Sequence, residues 1–436
     1  MRRKRAWLAW AIVAMAATAT PAQAQTRPKG YLSLFTDYFP NQHDAVELRG
    51  RVFVEERLEP SKRLAVDLSG FAEGLLARRA VPGSAKERET VRTAIARVHD
   101  ANVTLSGERL DLLAGYARVA WGKLDEIQPT DVVNPLDVSR FFFEGRSEAR
   151  LPVLLVRGRW HVRPELTIEG LYVPGFRRGR FDRLDEPSSP FNLPALAGCD
   201  PGRCQALPDT IQDRAPRFTA RNAQGGARVT ATTGQVDWSV AAYRGFEAFG
   251  LYRFERAVPV SAPAPPTLLL EYPRFTMIGA DFETVRGKWG LRGEAAAILD
   301  DSFQSLELRI VRGRSLDAGV GVDRRAGDYT VSGTILLHGE SYDAPLSVSS
   351  PKDGRTDLSF VASADRTFAR EQYRLRTFAV YNPVERSAFV RAIGIASVKD
   401  NLALEASLGW FAGDGAGLVG RFSDSDFVYA RLKYYF

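Results

Sequence analysis

The sequence contains few of the residues on which most catalytic and metal-binding sites depend. Its 436 residues include only four histidines and two cysteines. It has no P-loop, no Gly-x-Ser-x-Gly turn and no His-Glu-x-x-His motif. A hydrolase needs a nucleophile, a base and an orienting group, and none of the histidines lies near a serine motif. We therefore predict that the protein is not an enzyme and holds no metal or cofactor, and that His99 and His338 are polar residues facing a lumen.

Long apolar runs are also scarce. Beyond residue 24 there is no apolar stretch of about 18 residues, which excludes a helical membrane span of ordinary length. The amino-terminal segment differs, because the basic residues 2–5 precede a mostly apolar run, 6–19, and an Ala22-Gln23-Ala24 site of small residues. We predict that residues 1–24 are a cleaved signal peptide and that the mature chain is exported.

Lysine is scarce too, with nine residues among the 59 basic ones. The formal net charge of +7 falls to +3 when the four basic residues of 1–24 are removed, which leaves 55 basic against 52 acidic residues. This near balance gives no support for a nucleic-acid partner. Arginine keeps its charge and binds carboxylates or phosphates through two N–H groups, so its excess suits the wall of an aqueous pore.

Alternating polarity is what the sequence has in abundance. At the carboxyl-terminus the residues at even positions from 428 to 436 are apolar or aromatic, and Tyr429, Arg431, Lys433 and Tyr435 separate them. The same period of two recurs in seven further segments: 64–76, 166–172, 236–242, 291–299, 316–322, 329–337 and 402–410. Strands of this kind can face hydrocarbon on one side and water on the other.

These segments predict an all-β fold, a single transmembrane antiparallel β-barrel over residues 25–436 in the bacterial outer membrane. Short turns such as 325–328, 369–371 and 398–401 favour hairpin connections. We expect about 16 strands, within a range of 14–18, because bacterial barrels of one chain have even numbers. Outer-membrane lipid and the barrel assembly machinery are the partners that such a fold implies.

The last strand is predicted to close the barrel, with Tyr434 and Phe436 serving membrane insertion and closure. Its ending resembles the terminal strand of bacterial outer-membrane barrels, which usually finish on an aromatic residue. A barrel must leave no open edge in a membrane, so this strand has to pair with the first strand. We place that first strand near Val46 to Leu58.

Three long irregular stretches interrupt the alternation, at 123–150, 174–217 and 258–267. Connections of this length are usually functional or disordered. In a barrel they would be extracellular loops, which we predict for 174–217, or segments folded into the lumen, which we consider for 123–150. Cys199 and Cys204 flank a turn sequence in the second stretch, and we predict a disulfide because exported proteins meet an oxidising compartment. A zinc site is the alternative, but it lacks nearby histidines.

The stretch 121–137 has the character of a signature. It begins with Trp121-Gly122 and continues to the run Asn134-Pro135-Leu136-Asp137. The run resembles that of a family of Gram-negative outer-membrane barrel proteins of unknown function, whose members carry Trp-Gly, then Asp, then Asn-Pro-x-Asp and a later proline, here Pro152. Porin-like families of the alginate-export type have similar runs. The resemblance implies an outer-membrane barrel.

Charged residues are concentrated in this stretch and just after it. Folded inward, they would form a constriction with a transverse field that selects ions by size and sign. The alternative is a hairpin in which the Asp and Asn side chains satisfy their own backbone. The candidate constriction residues are Asp125, Asp131, Asn134, Asp137, Arg140, Arg146 and Arg150.

Three hypotheses about function follow. The first is a porin-like channel, or an export-associated barrel working with a periplasmic exporter component, for small solutes, with anions as a candidate class. The second is a structural or recognition barrel that binds a partner through its long loops, chiefly 174–217. The third, least favoured, is a barrel hydrolase acting on lipids.

Overall fold

A computed structural model of the chain describes residues 29–42, 44–80, 87–180, 211–255, 267–305, 308–346, 353–413 and 419–436. The predicted signal peptide, His43 and both cysteines lie outside these ranges, so the cleavage and disulfide remain predictions. Most of the stretches 174–217 and 258–267 lies outside them as well.

The described residues form 21 strands, numbered here in chain order. The strands are β1 Lys29–Phe39, β2 Ala45–Ser61, β3 Leu64–Ala80, β4 Arg88–Ser106, β5 Leu110–Ala117, β6 Val153–Arg163, β7 Leu166–Val173, β8 Ile211–Asp213, β9 Gln224–Thr233, β10 Val236–Phe246, β11 Leu251–Phe254, β12 Leu268–Glu271, β13 Arg274–Arg286, β14 Trp289–Gln304, β15 Ile310–Ala326, β16 Tyr329–Tyr342, β17 Gly354–Phe368, β18 Tyr373–Asn382, β19 Ser387–Lys399, β20 Leu402–Ala412 and β21 Phe427–Tyr435. Two short helices, α1 Val138–Glu144 and α2 Arg146–Ala149, lie between β5 and β6.

Eighteen of these strands form one closed antiparallel sheet, a β-barrel. Each barrel strand pairs with the next one along the chain, and β21 pairs with β1 from Tyr31–Tyr435 to Tyr38–Val428. Two backbone hydrogen bonds between Gly30 and Phe436, of 3.2 and 3.1 Å, extend this pairing to the end of the chain. The remaining strands, β8, β11 and β12, form a separate small sheet. The barrel fold is confirmed, with eighteen strands rather than the expected sixteen.

The predicted position of the first strand is wrong. Val46 to Leu58 lies in β2, and the strand that closes the barrel is β1, one strand earlier. Alternation is weak in β1 because three of its six inward residues, Tyr31, Phe35 and Phe39, are aromatic. Phe35 and Phe39 point inward and are buried, while Leu32 and Leu34 on the outer face are exposed.

The outer face of the barrel is apolar and exposed. Leu34, Ile278 and Val320, for example, are 52%, 52% and 51% exposed. Aromatic side chains, each 41–51% exposed, mark both ends of this face. They form a belt of aromatic residues at each end. One belt contains Trp160, Trp289, Tyr329, Tyr373 and Tyr434, and the other contains Tyr38, Tyr116, Tyr172, Tyr381 and Trp410.

The two ends of the barrel differ in their connections. At the end where Phe436 lies, eight turns of two to four residues join neighbouring strands, and we call this the short-turn end. Three of them place glycine at φ of 62° or 63°, a conformation that other residues rarely adopt. The long connections all lie at the opposite, loop end. Within the described residues, no helix has both the length and the apolar character needed to cross a membrane.

Candidate functional site, a segment across the barrel interior

The connection between β5 and β6 is the most unusual part of the structure. These strands are neighbours and pair up to Ala117 and Val153, so a short turn could join them. Instead residues 118–152, here called the inner segment, leave the wall, form α1 and α2, and return. The inner segment contains the whole predicted stretch 123–150. Its contacts with distant strands define the candidate site.

One carboxylate on β14 binds the first part of the inner segment. Glu294 accepts hydrogen bonds from the backbone N–H groups of Lys123, Leu124 and Thr130, at 2.9, 3.1 and 2.7 Å, and from the Thr130 hydroxyl at 2.8 Å. Gly122 has φ of 93°, and a Cβ there would lie 2.5 Å from the Glu294 carboxylate. The carboxylate thus satisfies backbone donors that would otherwise be buried without partners.

Ion pairs bind the same part of the segment to other strands. Asp125 pairs with Arg292 on β14, and Glu126 pairs with Arg376 on β18. Lys123 pairs with Glu283 on β13 at 3.0 Å. These contacts extend over a third of the barrel circumference.

Apolar contacts accompany the ion pairs. Trp121 is fully buried, and its indole N–H donates to Glu169 on β7 at 2.9 Å. Leu124 packs in a cluster with Leu336, Val361 and Val380, from β16, β17 and β18. A Cβ on Gly319 of β15 would lie 2.8 Å from the Leu124 side chain, so glycine is needed there for this close approach.

The middle of the inner segment is organised around two buried side chains. Asp131 accepts hydrogen bonds from the Nε atoms of Arg146 and Arg150, each at 2.8 Å. Asn134 accepts from the Val119 backbone N–H at 2.7 Å and donates to the Leu151 carbonyl at 2.8 Å, so it joins the two ends of the segment. Both side chains therefore satisfy groups within the segment, but across a long loop rather than within one hairpin turn.

Asp137 connects the segment to the wall near β4. Its buried carboxylate binds Arg97 of β4 at 2.6 Å and Arg180 at 3.4 Å. The side chain of Arg140, another predicted constriction residue, lies outside the described residues. Four of the predicted residues, Asp131, Asp137, Arg146 and Arg150, therefore take part in two adjacent ion-pair clusters.

Helix α1 reaches the wall on the far side. Phe142 and Phe143 pack among aromatic rings of β1, β19, β20 and β21, with Phe143 4.9 Å from Phe427 between centroids. Glu144 pairs with Arg51 of β2 at 2.6 Å. Arg391 and Arg431 donate to the Phe143 carbonyl at 3.0 and 3.3 Å.

The inner segment must cross the barrel interior, because the strands it contacts are distributed around the whole wall. These strands are β2, β4, β7, β14, β18 and β21. Inward side chains are buried toward the loop end and more exposed toward the short-turn end. On β2, for instance, the inward Glu47 is 1% exposed, whereas the inward Arg57 side chain is 60% exposed. The inner segment thus fills the loop half of the barrel and leaves a vestibule that opens at the short-turn end.

Positive charge is in excess on the wall of β4 to β7 and the adjoining part of the segment. In three clusters a single carboxylate is shared by two guanidinium groups. The clusters are Asp131 with Arg146 and Arg150, Asp137 with Arg97 and Arg180, and Glu169 with Arg157 and Arg159. Arg177 lies close by, and burial together with the neighbouring Arg97 lowers its pKa to about 10.

Negative charge is in excess on the wall of β13 to β16. There a single cation is shared by several carboxylates, the reverse of the arrangement near β4. Arg292 binds Asp125, Glu283 and Asp323, and His338 lies between Asp317 and Glu340. β16 is nine strands from β4 in either direction, whereas β7 and β13 are three strands apart. The two sectors therefore occupy different parts of the wall and are opposite each other at β4 and β16.

Several residues that position the segment were not among the predicted ones. Glu294, Arg292, Arg376, Arg51 and Arg391 all lie on barrel strands at inward positions. Alternation could have identified their inward direction, since Arg292 and Glu294 already appear as the polar face of the segment 291–299. Sequence alone did not show that they bind residues 93 to 250 positions away.

We predict that Glu294→Ala loosens the inner segment, because four donors lose their shared acceptor. Protease cleavage within 123–130 of the folded protein should become roughly tenfold faster or more, since removing a charged hydrogen-bond partner typically costs at least 1.5 kcal/mol. Glu294→Gln retains one acceptor oxygen and should give an intermediate rate. Equal rates for all three proteins would show that Glu294 does not hold the segment.

The fold and this site define a closed antiparallel β-barrel whose interior is crossed by one of its own connections. The chain belongs to the family described as "Protein of unknown function (DUF1302)", whose model matches residues 78–324, more than half of the sequence. The match includes the inner segment. No curated protein matches the chain in sequence.

Solved structures similar to this chain include three proteins of low sequence identity. OccAB3 of Acinetobacter baumannii is 10% identical, with 94% of this chain and 99% of that one covered and a TM-score of 0.49. OccK7 (OpdD) of Pseudomonas aeruginosa is 12% identical, with the same coverage and a TM-score of 0.47. OmpT, an outer membrane protein of Vibrio cholerae, is 8% identical, with 96% and 100% covered and a TM-score of 0.44.

Proposed function

We propose that the protein is an outer-membrane channel for small acidic solutes, with the inner segment as its constriction. The observation that carries the proposal is the separation of excess positive and excess negative charge onto different sectors of the wall, around an interior narrowed by residues 118–152. The outer-membrane barrel assembly machinery would insert it, and a periplasmic exporter component could dock at the short-turn end.

The outer surface supports the membrane location. A continuous apolar face lies between the two belts of aromatic residues. This arrangement is expected where a barrel contacts the hydrocarbon core and both membrane–water interfaces. The strand pairing closes on itself, so no backbone donors remain unpaired at a sheet edge in the membrane. The short-turn end would face the periplasm and the loop end the exterior.

The interior supports a channel. Barrels of 16 to 18 strands are wide enough to leave an aqueous passage. Here the vestibule at the short-turn end is polar and exposed, and the inner segment narrows the passage toward the loop end. Because charges of opposite sign line different sectors of the wall, a solute crossing the constriction would be oriented by a transverse field.

The preference for acids rests on the three clusters near β4 to β7. Each holds two guanidinium groups for one carboxylate, so each keeps a net positive charge that can attract an anion. Arg159 is the most accessible of these groups, with 45% of its side chain exposed to the vestibule.

Ion selectivity in planar bilayers tests the proposal. The wild-type protein should pass chloride in preference to potassium, as judged by the reversal potential in a KCl gradient. Arg157→Gln combined with Arg159→Gln should reduce the anion-to-cation permeability ratio by roughly threefold, because two charges beside the passage each change the local energy by a fraction of a kcal/mol. Glu169 would keep its hydrogen bond from Trp121.

A matched control removes the same charge from the outer face. Arg324 and Arg366 lie over the rings of Trp289 and Tyr329 at the short-turn end. Arg324→Gln with Arg366→Gln should leave the permeability ratio unchanged. Two results would contradict the assignment to acidic solutes. One is a wild-type channel that prefers potassium, and the other is a permeability ratio that Arg157→Gln with Arg159→Gln does not alter.

A further inference from the structure

The outer face of the barrel carries a cluster of arginines at the loop end of β10, β13, β14 and β15. Arg244, Arg274, Arg312 and Arg314 line a cavity of about 570 Å³ together with Asp300 and Asp343. The outward direction of the cluster follows from register. Arg244 pairs with Thr276 on β13, at positions that continue the exposed series of Val240 and Ile278.

The four arginines outnumber the two carboxylates of the cavity. Arg244 binds Asp300 at 3.3 Å. Arg274, Arg312 and Arg314 form no ion pair with any residue that the structure describes. Arg312 instead donates to the backbone carbonyls of Arg274 and Asp300, each at 3.3 Å. Arg274 likewise donates to the backbone carbonyls of Ala223 and Arg221. Since a guanidinium has five N–H groups, each of these arginines retains donors for an anion.

Neighbouring contacts hold the cluster in position. The Arg274 guanidinium lies 4.2 Å from the centre of the Phe246 ring and donates to the Ala223 carbonyl at 3.4 Å. A register shift between Ile298 and Asp301 in β14 brings Leu299 and Asp300 opposite Arg314. Ring stacking and the register shift together fix charged groups that would otherwise be freely mobile at a surface.

Directly below the cluster, toward the middle of the barrel, the outer face is apolar. Val240, Ile278, Leu299 and Leu316 are exposed there on the same four strands. The surface therefore combines a site for anionic groups with an adjoining site for hydrocarbon chains. A ligand that satisfies both parts has phosphates at one end and acyl chains at the other.

We propose that this surface binds the phosphorylated headgroup of an outer-leaflet glycolipid, with its acyl chains along β10 to β15. The inference rests on the proposed outer-membrane location, which places the loop end at the outer leaflet. The phosphate oxygens accept hydrogen bonds from Arg312, Arg314 and Arg274. A guanidinium can bind phosphate through two parallel N–H groups.

Lipid binding by the full-length protein in detergent tests the proposal, measured by native mass spectrometry with diphosphorylated lipid A as the probe. Arg312→Gln combined with Arg314→Gln should weaken the binding of lipid A by about tenfold or more, because two guanidinium groups that donate hydrogen bonds to its phosphates are lost. The control Arg324→Gln with Arg366→Gln removes equal charge at the opposite end and should bind like wild type. Dephosphorylated lipid A should bind the wild-type protein as weakly as diphosphorylated lipid A binds the double variant.

Three results would overturn the proposal. These are equal lipid A affinity in the wild type and the Arg312/Arg314 variant, equal affinity for the phosphorylated and dephosphorylated lipids, or competition by inorganic phosphate at concentrations equal to those of lipid A. The last result would show a site for free phosphate rather than for a lipid. Channel conductance, measured separately, should be the same in the variant and the wild type. A failure of lipid binding can therefore be told apart from a failure of the channel proposal.

Discussion

Replacing residues 118–152 with a short turn should enlarge the channel by about threefold in single-channel conductance, because the inner segment fills the loop half of an eighteen-stranded barrel. The design is feasible, since Ala117 and Val153 pair directly and a tight turn can join them. Liposome swelling with sugars of increasing size should also reveal a higher size limit. Glu294, which loses its donors, would be hydrated in the wider lumen, and Arg51, which loses Glu144, would keep its ion pair with Glu73.

The barrel itself should survive this deletion, because strand pairing does not depend on the inner segment. Heat-modifiable mobility on gels and far-ultraviolet circular dichroism would verify the fold of the variant. The double variant Arg324→Gln with Arg366→Gln, which leaves the interior unchanged, serves as the control for conductance. A folded deletion variant with wild-type conductance and wild-type size limit would show that the inner segment does not constrict the passage.

Removal of residues 434–436 should reduce the amount of folded protein in the outer membrane to about a tenth or less. The truncation removes the pairings of Tyr434 with Leu32 and of Tyr435 with Tyr31, and both hydrogen bonds between Gly30 and Phe436. Each backbone group left unpaired in the apolar environment costs several kcal/mol. The loss should therefore affect assembly before it affects any activity of the folded protein.

Conservative substitution distinguishes the aromatic ring from the backbone pairing. Phe436→Tyr retains the hydrogen bonds with Gly30 and an aromatic ring beside it, so it should assemble like wild type. Immunoblots of outer-membrane fractions, with and without heating, provide the measurement. Normal assembly of the truncated chain would contradict the assignment of Tyr434 and Phe436 to closure.

The outer face of the barrel could be predicted from sequence because alternation depends only on local spacing. Leu316, Val320 and Val322 of β15, identified from the period of two, are all exposed on the outer face. Alternation failed at β1, where Phe35 and Phe39 place aromatic rings on the inner face as well. Those rings are buried against Phe143 and its neighbours, so their inward position depends on a segment about 100 residues away.

The candidate site could be predicted only in part. The proline-rich, charged run from Trp121 to Asp137 indicated a special segment, but not its partners. Asp125 binds Arg292, and Thr130 binds Glu294, over separations of 167 and 164 residues. Such pairings depend on how a closed sheet brings distant strands together. The spacing of residues within a segment does not determine which distant strands it will contact. A role for the charged residues in selectivity remains a prediction.

The recognition hypothesis also remains a prediction. Residues 181–210, the greater part of the loop 174–217, lie outside the described residues.

The hydrolase hypothesis depends on the histidines, and one of them has partners on the barrel wall. His161 on β6 is hydrogen-bonded to Asp111 on β5 and to Thr167 on β7. This arrangement provides a structural role for His161.

Single-channel conductance in planar bilayers, recorded for the intact chain and for the variant that lacks residues 118–152, tests most directly whether the inner segment constricts a conducting channel. We expect small ohmic steps with anion preference for the intact chain and steps about threefold larger for the variant. Steps in the variant together with none in the intact chain, at any voltage, would contradict the claim that the inner segment forms a constriction in a conducting channel. They would identify it as a complete plug instead.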